Sequence, residues 1–499
     1  MTGRTRRGAG PAATTAIWAG VGVLVAAAAT PFMLIAPPLI AVVAGGFVLL
    51  ALAAFLPKAF AFAALCTIIL STLAQTFLGS AGSFADEAVI VLALVAFSTR
   101  RLVTERRLVA LPGMWWFLAF VAVGLASGIV GAVPFSISVQ AMFLAVKGLV
   151  FAFALAQLRW DVEDLRVLVR LGAIAGGILV LTAVANLIAP GPWSQLVANR
   201  PPFAMVNGIP ALQGPFQHPA AFGRLSSILA VGVLSYRLLV RRSWVSAVLL
   251  ACSSAMALLT FQVKSIVSLL GTIGLLLLRF GGPVRYLAIL AFAPLLAMVV
   301  LPPLVELVGG DVQIYIVQES ARSLLTTGSL QVAADHFPWG AGFGRYASFY
   351  ASQYYSPEYV KLGFEDVYGL GRAEDGMFLN DTQWPAILGE TGWFGAVCFA
   401  AGIIAVFASL VRRTSADEHV LVRWLRVAGI AWLVLIIIES VGAPVFVSAP
   451  AFPFAFAAAG VIASFRDRAR QAVEPTAAAA APMATAPTAA APRPEVPAS

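Results

Sequence analysis

Arg322 and Asp381 are the side chains with which this chain is best placed to do chemistry. An arginine offers a planar fork of donors suited to an anionic oxygen pair, and a carboxylate can orient or deprotonate a hydroxyl. Each has a plainer reading beside it. Arg322 pairs with Glu319 if the two share one helix face, and Asp381 caps the helix entered at Pro385 if its side chain turns to the backbone. Further candidates for holding a substrate are Arg200, Arg224, Lys264, His218, His336, Arg345 and Glu390. Arg224 and Lys264 stand near helix ends, where a long side chain also snorkels easily. His218 precedes Pro219 and suits a structural role as well. Glu390 follows Asp381 by nine residues, the opposite face of a continuous helix, which favours a supporting role. Lys147 differs in kind, because it falls in the middle of an apolar run. There an ionisable group marks function by default, unless it snorkels or is paired internally. Asp86-Glu87 is a single acidic pair and a thin basis for a metal site. Cys66, Cys252 and Cys398 all fall in apolar runs, so neither a disulfide framework nor a zinc cluster can be argued. No metal and no cofactor is expected.

The composition indicates what must hold these groups. Hydrophobic residues make up 60% of the 499 and charged residues 11%, against roughly 25% charged in ordinary globular domains. The apolar runs are about 18–22 residues long, enough to cross a hydrocarbon core of about 30 Å. They lack the alternation of a barrel strand. The expectation is an all-α, polytopic membrane protein of about fourteen spans. These are placed at approximately 15–35, 38–57, 59–78, 86–98, 112–131, 137–157, 166–188, 221–239, 244–262, 265–279, 285–304, 386–410, 424–443 and 448–465.

With the N-terminus inside, 24 of the 32 Lys and Arg fall in inner segments, as the positive-inside rule asks. Both termini are therefore expected in the cytoplasm of a bacterial cell. The net charge of +9 reads as contact with an anionic inner leaflet, not with nucleic acid. The first apolar run continues past Ala29 without a convincing cleavage site and is read as an uncleaved span. Residues 1–470 form the transmembrane domain, and the Ala/Pro-rich stretch 471–499 is expected to be a disordered cytoplasmic tail. Two external segments break the pattern of short connections: Pro190 to about Ala220, and the large loop 306–385. Long loops in compact architectures usually carry function.

The large loop opens with Gln318-Glu319-Ser320-Ala321-Arg322, followed by Leu324, Leu325, Leu330, Val332 and Ala333 near helical spacing. That pattern predicts an amphipathic helix on the outer surface, ended by His336-Phe337-Pro338. Gly340-Ala341-Gly342-Phe343-Gly344-Arg345 and an aromatic stretch follow. The loop closes at Asn380-Asp381-Thr382, ahead of Glu390-Thr391-Gly392.

The order and placement of Ser320-Ala321-Arg322, His336-Phe337-Pro338-Trp339-Gly340, Asp381 and Glu390-Thr391-Gly392 resemble the O-antigen ligase and polymerase superfamily. Gly214-Pro215-Phe216-Gln217-His218-Pro219 and Lys264-Ser265 fit the same pattern. The resemblance covers about residues 140–410. An acidic residue at 381, where ligases usually have histidine, is more like the polymerases. The resemblance implies a GT-C-like membrane glycosyltransferase, metal-independent, acting outside the membrane in cell-surface polysaccharide assembly. It would move glycan from a polyprenyl-diphosphate carrier to the hydroxyl of a glycan or lipid acceptor. In such a reaction arginine clamps the diphosphate that leaves, and Asp381 serves the acceptor hydroxyl. A flippase or polysaccharide transporter without catalysis is the alternative. Such proteins usually show two similar halves, and none is visible here. A scaffolding role is disfavoured by the convergent external cations.

Overall fold

The computed structural model describes residues 37–203, 205–206, 208–280, 321–372, 377–415 and 417–480. The expected spans 15–35 and 285–304, the opening of the large loop and the last part of the tail lie outside the described residues. What is described is almost entirely helical. In chain order the helices are α1 (Pro37–Phe55), α2 (Pro57–Ile69), α3 (Ser71–Leu78), α4 (Ser80–Ser83), α5 (Ala85–Glu105), α6 (Met114–Val130), α7 (Phe135–Ala156), α8 (Val162–Ile188) and α9 (Pro190–Ala198). A two-stranded antiparallel hairpin follows, pairing β1 (Met205–Val206) with β2 (Ile209–Pro210). After it come α10 (Pro219–Leu239), α11 (Trp244–Leu258), α12 (Val263–Phe280) and α13 (Ala321–Asp335). Short α14 (Phe349–Gln353) and α15 (Pro357–Lys361) precede the long α16 (Trp384–Val411), α17 (Val420–Glu439) and α18 (Phe452–Ala480).

Six of these helices, α7, α8, α10, α12, α16 and α17, are long and apolar enough to cross a membrane. The pair α2 and α3 makes a seventh if it is one broken span. The expected span 59–78 is in fact bent by 68° at this break, where Leu70 leaves helical geometry. The expected short span 86–98 is the first part of a longer helix, α5. α5 continues to Glu105 because Arg101, 2% exposed, is neutralised by Glu105 and Asp467 instead of ending the helix in water. α18 also runs past Arg470 to Ala480, so it takes in the start of the expected tail, Pro475 included.

Local signals explain several starts. Asp161 and Ser243 each begin a helix with a capping box, reciprocated by Asp164 and Ser246, which satisfies orphan amide donors. Proline stands in the first turn of α2, α9, α10, α15 and α16, where its missing N–H is not needed.

Around α18 the helices pack into one apolar core, with α7 and α17 against it and α10 bridging α11, α12 and α17. A second core belongs to the large loop itself. Leu325 and Val332 of α13 bury against Tyr346, Tyr355, Tyr359, Phe364, Leu370 and Leu379. The described part of the loop, from Ala321 on, is thus a folded cap with its own interior. α13 packs on α16, which fixes the cap to the bundle.

The seam between cap and bundle depends on Gly392, whose φ of 62° interrupts α16. A Cβ there would stand 2.6 Å from the carbonyl oxygen of Pro338, so the glycine-rich segment can lie against the break only because residue 392 has none. The amides of Ala341 and Gly342 then donate to the Gly389 and Glu390 carbonyls at 2.9 and 2.8 Å.

Basic segments gather at one end of the bundle. Lys58 pairs with Asp161 and Asp164, Arg159 with Glu105, and Arg426 with Glu418. Arg466 and Arg468 cap carbonyls of Ser409, Arg412 and Trp160. Lys264, Glu439 and Asp381 occupy the opposite ends of α12, α17 and the chain entering α16, so the cap and its charged residues lie at the other end.

Candidate functional site

Five pieces of chain meet beneath the cap. α13 brings Arg322 in its first turn, and the strand of chain before α16 brings Asp381. The second turn of α10 carries Arg224, the first turn of α12 carries Lys264 and Ser265, and the last turn of α17 carries Glu439. Arg322 Nε donates to Asp381 Oδ2 at 3.0 Å, and its Nη2 reaches the same oxygen. Arg224 Nε donates to Glu439 Oε1 at 2.9 Å and Nη1 to Ser448 Oγ at 3.3 Å. Lys264 Nζ has the Gly442 carbonyl at 3.5 Å, and Ser265 Oγ lies 3.5 Å from Glu439 Oε1. Asp381, Arg224, Arg322 and Glu439 all fall within electrostatic range of Lys264.

His218 closes the arrangement on one side. Its Nδ1 accepts the Ala220 amide at 3.0 Å as the cap of α10, and its ring stands 4.8 Å from that of Phe203. The Arg200 guanidinium lies 4.0 Å from the same Phe203 ring. Desolvation, with Lys264 and Arg200 adding to it, lowers the His218 pKa to about 4, although the side chain remains solvent-accessible. The imidazole is therefore neutral near pH 7. Among the described residues the cluster then holds four cations, Arg200, Arg224, Lys264 and Arg322, against two carboxylates, Asp381 and Glu439. Two buried oxygens in it, Glu439 Oε2 and Thr382 Oγ1, have no hydrogen-bond partner among the described residues. A surplus of fixed positive charge beside unfilled polar atoms can hold an anion and a hydroxyl-bearing group together.

Six of the residues singled out in the sequence come together here: Arg322, Asp381, Arg224, Lys264, His218 and Arg200. Four are engaged elsewhere. Lys147 pairs with Asp86 at 2.7 Å inside the bundle and lies over the Phe452 ring, 4.8 Å from its centroid. Glu390 Oε1 accepts from the Gly344 and Tyr346 amides and the Ser348 hydroxyl, at 2.8, 3.3 and 2.5 Å, so it anchors the glycine-rich segment. His336 Nε2 stands 3.4 Å from Glu358 on the cap, and Arg345 donates to the Ala132 carbonyl at 3.4 Å.

Glu439 is the residue that sequence reasoning passed over. A signal existed, since an acidic group at the end of an otherwise apolar run is costly without a partner, but only the fold shows which cation it meets. No family model matches this chain, and no curated protein matches it either.

Proposed function

We propose that this protein is a membrane glycosyltransferase of the O-antigen polymerase or ligase type. It transfers glycan from a polyprenyl-diphosphate carrier to an acceptor hydroxyl at the cap-covered face. The observation that carries the reading is the surplus of cations around the Arg322–Asp381 pair, at the end of a bundle six of whose helices have the length and composition of membrane spans. A sugar–diphosphate–lipid carries one ionised oxygen on each phosphate, which matches that surplus of two positive charges. Arg322, Lys264 and Arg224 hold the diphosphate. Entry of the phosphates draws the Arg322 guanidinium away from Asp381 and frees its carboxylate. Asp381 then takes the proton of the acceptor hydroxyl as the oxygen bonds the anomeric carbon. The bond from that carbon to the diphosphate breaks, and the charge left on the carrier rests on the arginines and Lys264. Glycan and lipid partners fit this site, and no nucleic acid enters the reading.

The topology completes the proposal: about fourteen spans, both termini in the cytoplasm of a bacterial plasma membrane, and the cap outside. Reporters fused after Arg107, Arg242 and Arg413 are expected inside, and one near Ser356 outside. An inward Ser356 reporter overturns the orientation and the reading with it. The decisive test is purified protein with polyprenyl-diphosphate oligosaccharide. Longer or transferred glycan with released carrier diphosphate supports the reaction; intact donor moved across a vesicle without bond cleavage makes the protein a transporter.

A further inference from the structure

The end of the bundle away from the cap carries a second feature, which the proposed reaction does not use. α12, α16 and α17 leave between their far ends a cleft of about 550 Å³. Exposed Arg279, Arg413 and Arg423 stand at its rim, and Leu275, Phe407 and Val434 form part of an apolar wall. Among the lining residues Glu418 is the one carboxylate, and it is spent internally. Its oxygens accept from Arg426 Nε and Nη2 at 3.1 and 3.0 Å and from the Thr414 amide at 3.1 Å. The rim charge is therefore uncompensated from within the cleft.

Deeper in the cleft stands a threonine whose hydroxyl is closed off. Thr272 lines it, is 1% exposed, and its Oγ1 has no hydrogen-bond partner among the described residues. It lies two turns from Arg279 on α12, about 10 Å below the rim. Below the rim the lining is otherwise apolar, which confines the charge to the mouth of the cleft.

We infer that this cleft binds an anionic phospholipid, with its phosphate at the Arg279–Arg413–Arg423 rim and its acyl chains along the apolar wall. Charge decides against the obvious rival. The chain that leaves α12, residues 281–304, contains Arg285 and no acidic residue, so it cannot neutralise the rim. A soluble anion would leave the wall uncovered. Basic pockets between helix ends at a membrane surface are suited to lipid headgroups, each cation adding to the affinity. The inference stands apart from the reaction proposed for the other end.

The full-length protein, purified in neutral detergent, can be offered phosphatidylglycerol or phosphatidylcholine and its bound lipid counted by native mass spectrometry. Phosphatidylglycerol is expected to be retained in preference. The Arg279→Gln/Arg423→Gln double variant should hold it about thirtyfold more weakly at low ionic strength, with an unchanged melting temperature. Leu275→Trp, which fills the wall without touching a charge, should weaken both lipids, and it serves as the test if the double variant folds poorly. Equal retention of the two lipids overturns the inference. So does full competition by millimolar inorganic phosphate, which marks a simple anion site, and so does undiminished binding in either folded variant.

Discussion

Lys147 and Asp86 meet with side chains 8% and 6% exposed, whereas Arg322 and Asp381 meet with 32% and 24%. Both are a cation on an aspartate, and both were candidates for chemistry in the sequence. Their surroundings separate them. Neither member of the inner pair has water to turn to, so the pair must stay closed for the bundle of α5 and α7 to hold. The pair beneath the cap is half open, and an anion that reaches it can compete for the guanidinium. Arg224–Glu439 is buried like the inner pair, its side chains 6% and 0% exposed, yet one Glu439 oxygen beside Lys264 has no partner among the described residues. The site thus combines a fixed pair, a movable pair and a lysine whose Nζ contacts the Gly442 carbonyl at 3.5 Å.

The largest effect should come from breaking the inner pair on one side. Lys147→Met leaves Asp86 charged and buried, which typically costs about 3–5 kcal/mol, and a lower thermal midpoint in detergent measures it. Adding Asp86→Leu removes the orphaned charge and should restore most of the loss, since apolar replacement of a whole buried pair is often neutral. If the double variant folds well but transfers no glycan, Lys147 or Asp86 belongs to the chemistry and the contrast with Arg322 fails.

Next in size is the open pair, read in turnover and not in stability. Arg322→Ala should lower glycan transfer by about 10²–10³-fold, the usual effect of losing an electrostatic contact made to developing charge. Arg322→Lys should be nearly as damaging, because an ammonium cannot reproduce the fork. Both should keep a thermal midpoint close to that of the native protein, as partly exposed pairs contribute little to folding. Wild-type turnover in Arg322→Lys would reduce the residue to a surface charge.

A smaller effect is expected at Glu390. Glu390→Gln keeps an acceptor for the Gly344 and Tyr346 amides and should lose no more than about 1 kcal/mol, whereas Glu390→Leu strands them and should lose about 1–3 kcal/mol. Protease protection of the segment 340–348 reads this directly. A Glu390→Gln variant that is fully protected yet inactive would give Glu390 a role in the reaction.

The order of the helices and the ends at which Arg322, Asp381, Lys264 and Arg224 stand were legible in the sequence, because apolar run length and basic connections constrain both. α13 also follows from its periodicity. What the runs could not convey was pairing across distant segments. Lys147 reads as a functional charge until α5 brings Asp86 to it, and Arg101 reads as the end of a span until Asp467 of α18 neutralises it. The break at Leu70 left no proline or glycine to mark it. Glu390 looked like a candidate for substrate because nothing local says that the Gly344 amide, distant in sequence, needs its carboxylate. Glu439 escaped notice for the same reason: its meaning lies in Arg224, on another helix.

The smallest effect, and the one that tests whether burial beside the cations keeps an imidazole neutral, concerns His218. A free imidazole titrates near 6.5, while burial and then Lys264 and Arg200 bring this one to about 4. Between those values the unfolded chain binds a proton that the folded protein refuses. Stability should therefore fall as pH drops from about 6.5 to about 4, then cease to change on this account. His218→Asn keeps an acceptor for the Ala220 amide, since asparagine caps helices well, but it does not titrate. The carboxylates titrate alike in both proteins, so the difference between their melting curves isolates the histidine. Wild type should lose about 1–2 °C more than His218→Asn between pH 7 and pH 4.5; the effect stays small because the ring still meets solvent. Glycan transfer between pH 5.5 and 8 should keep the same pH profile in the variant, the imidazole being neutral throughout. Parallel melting curves would mean that the ring is neither desolvated at this place nor repelled by Lys264 and Arg200. A lost inflection in the transfer profile near pH 6.5 would make His218 a proton carrier and move the search for the base away from Asp381.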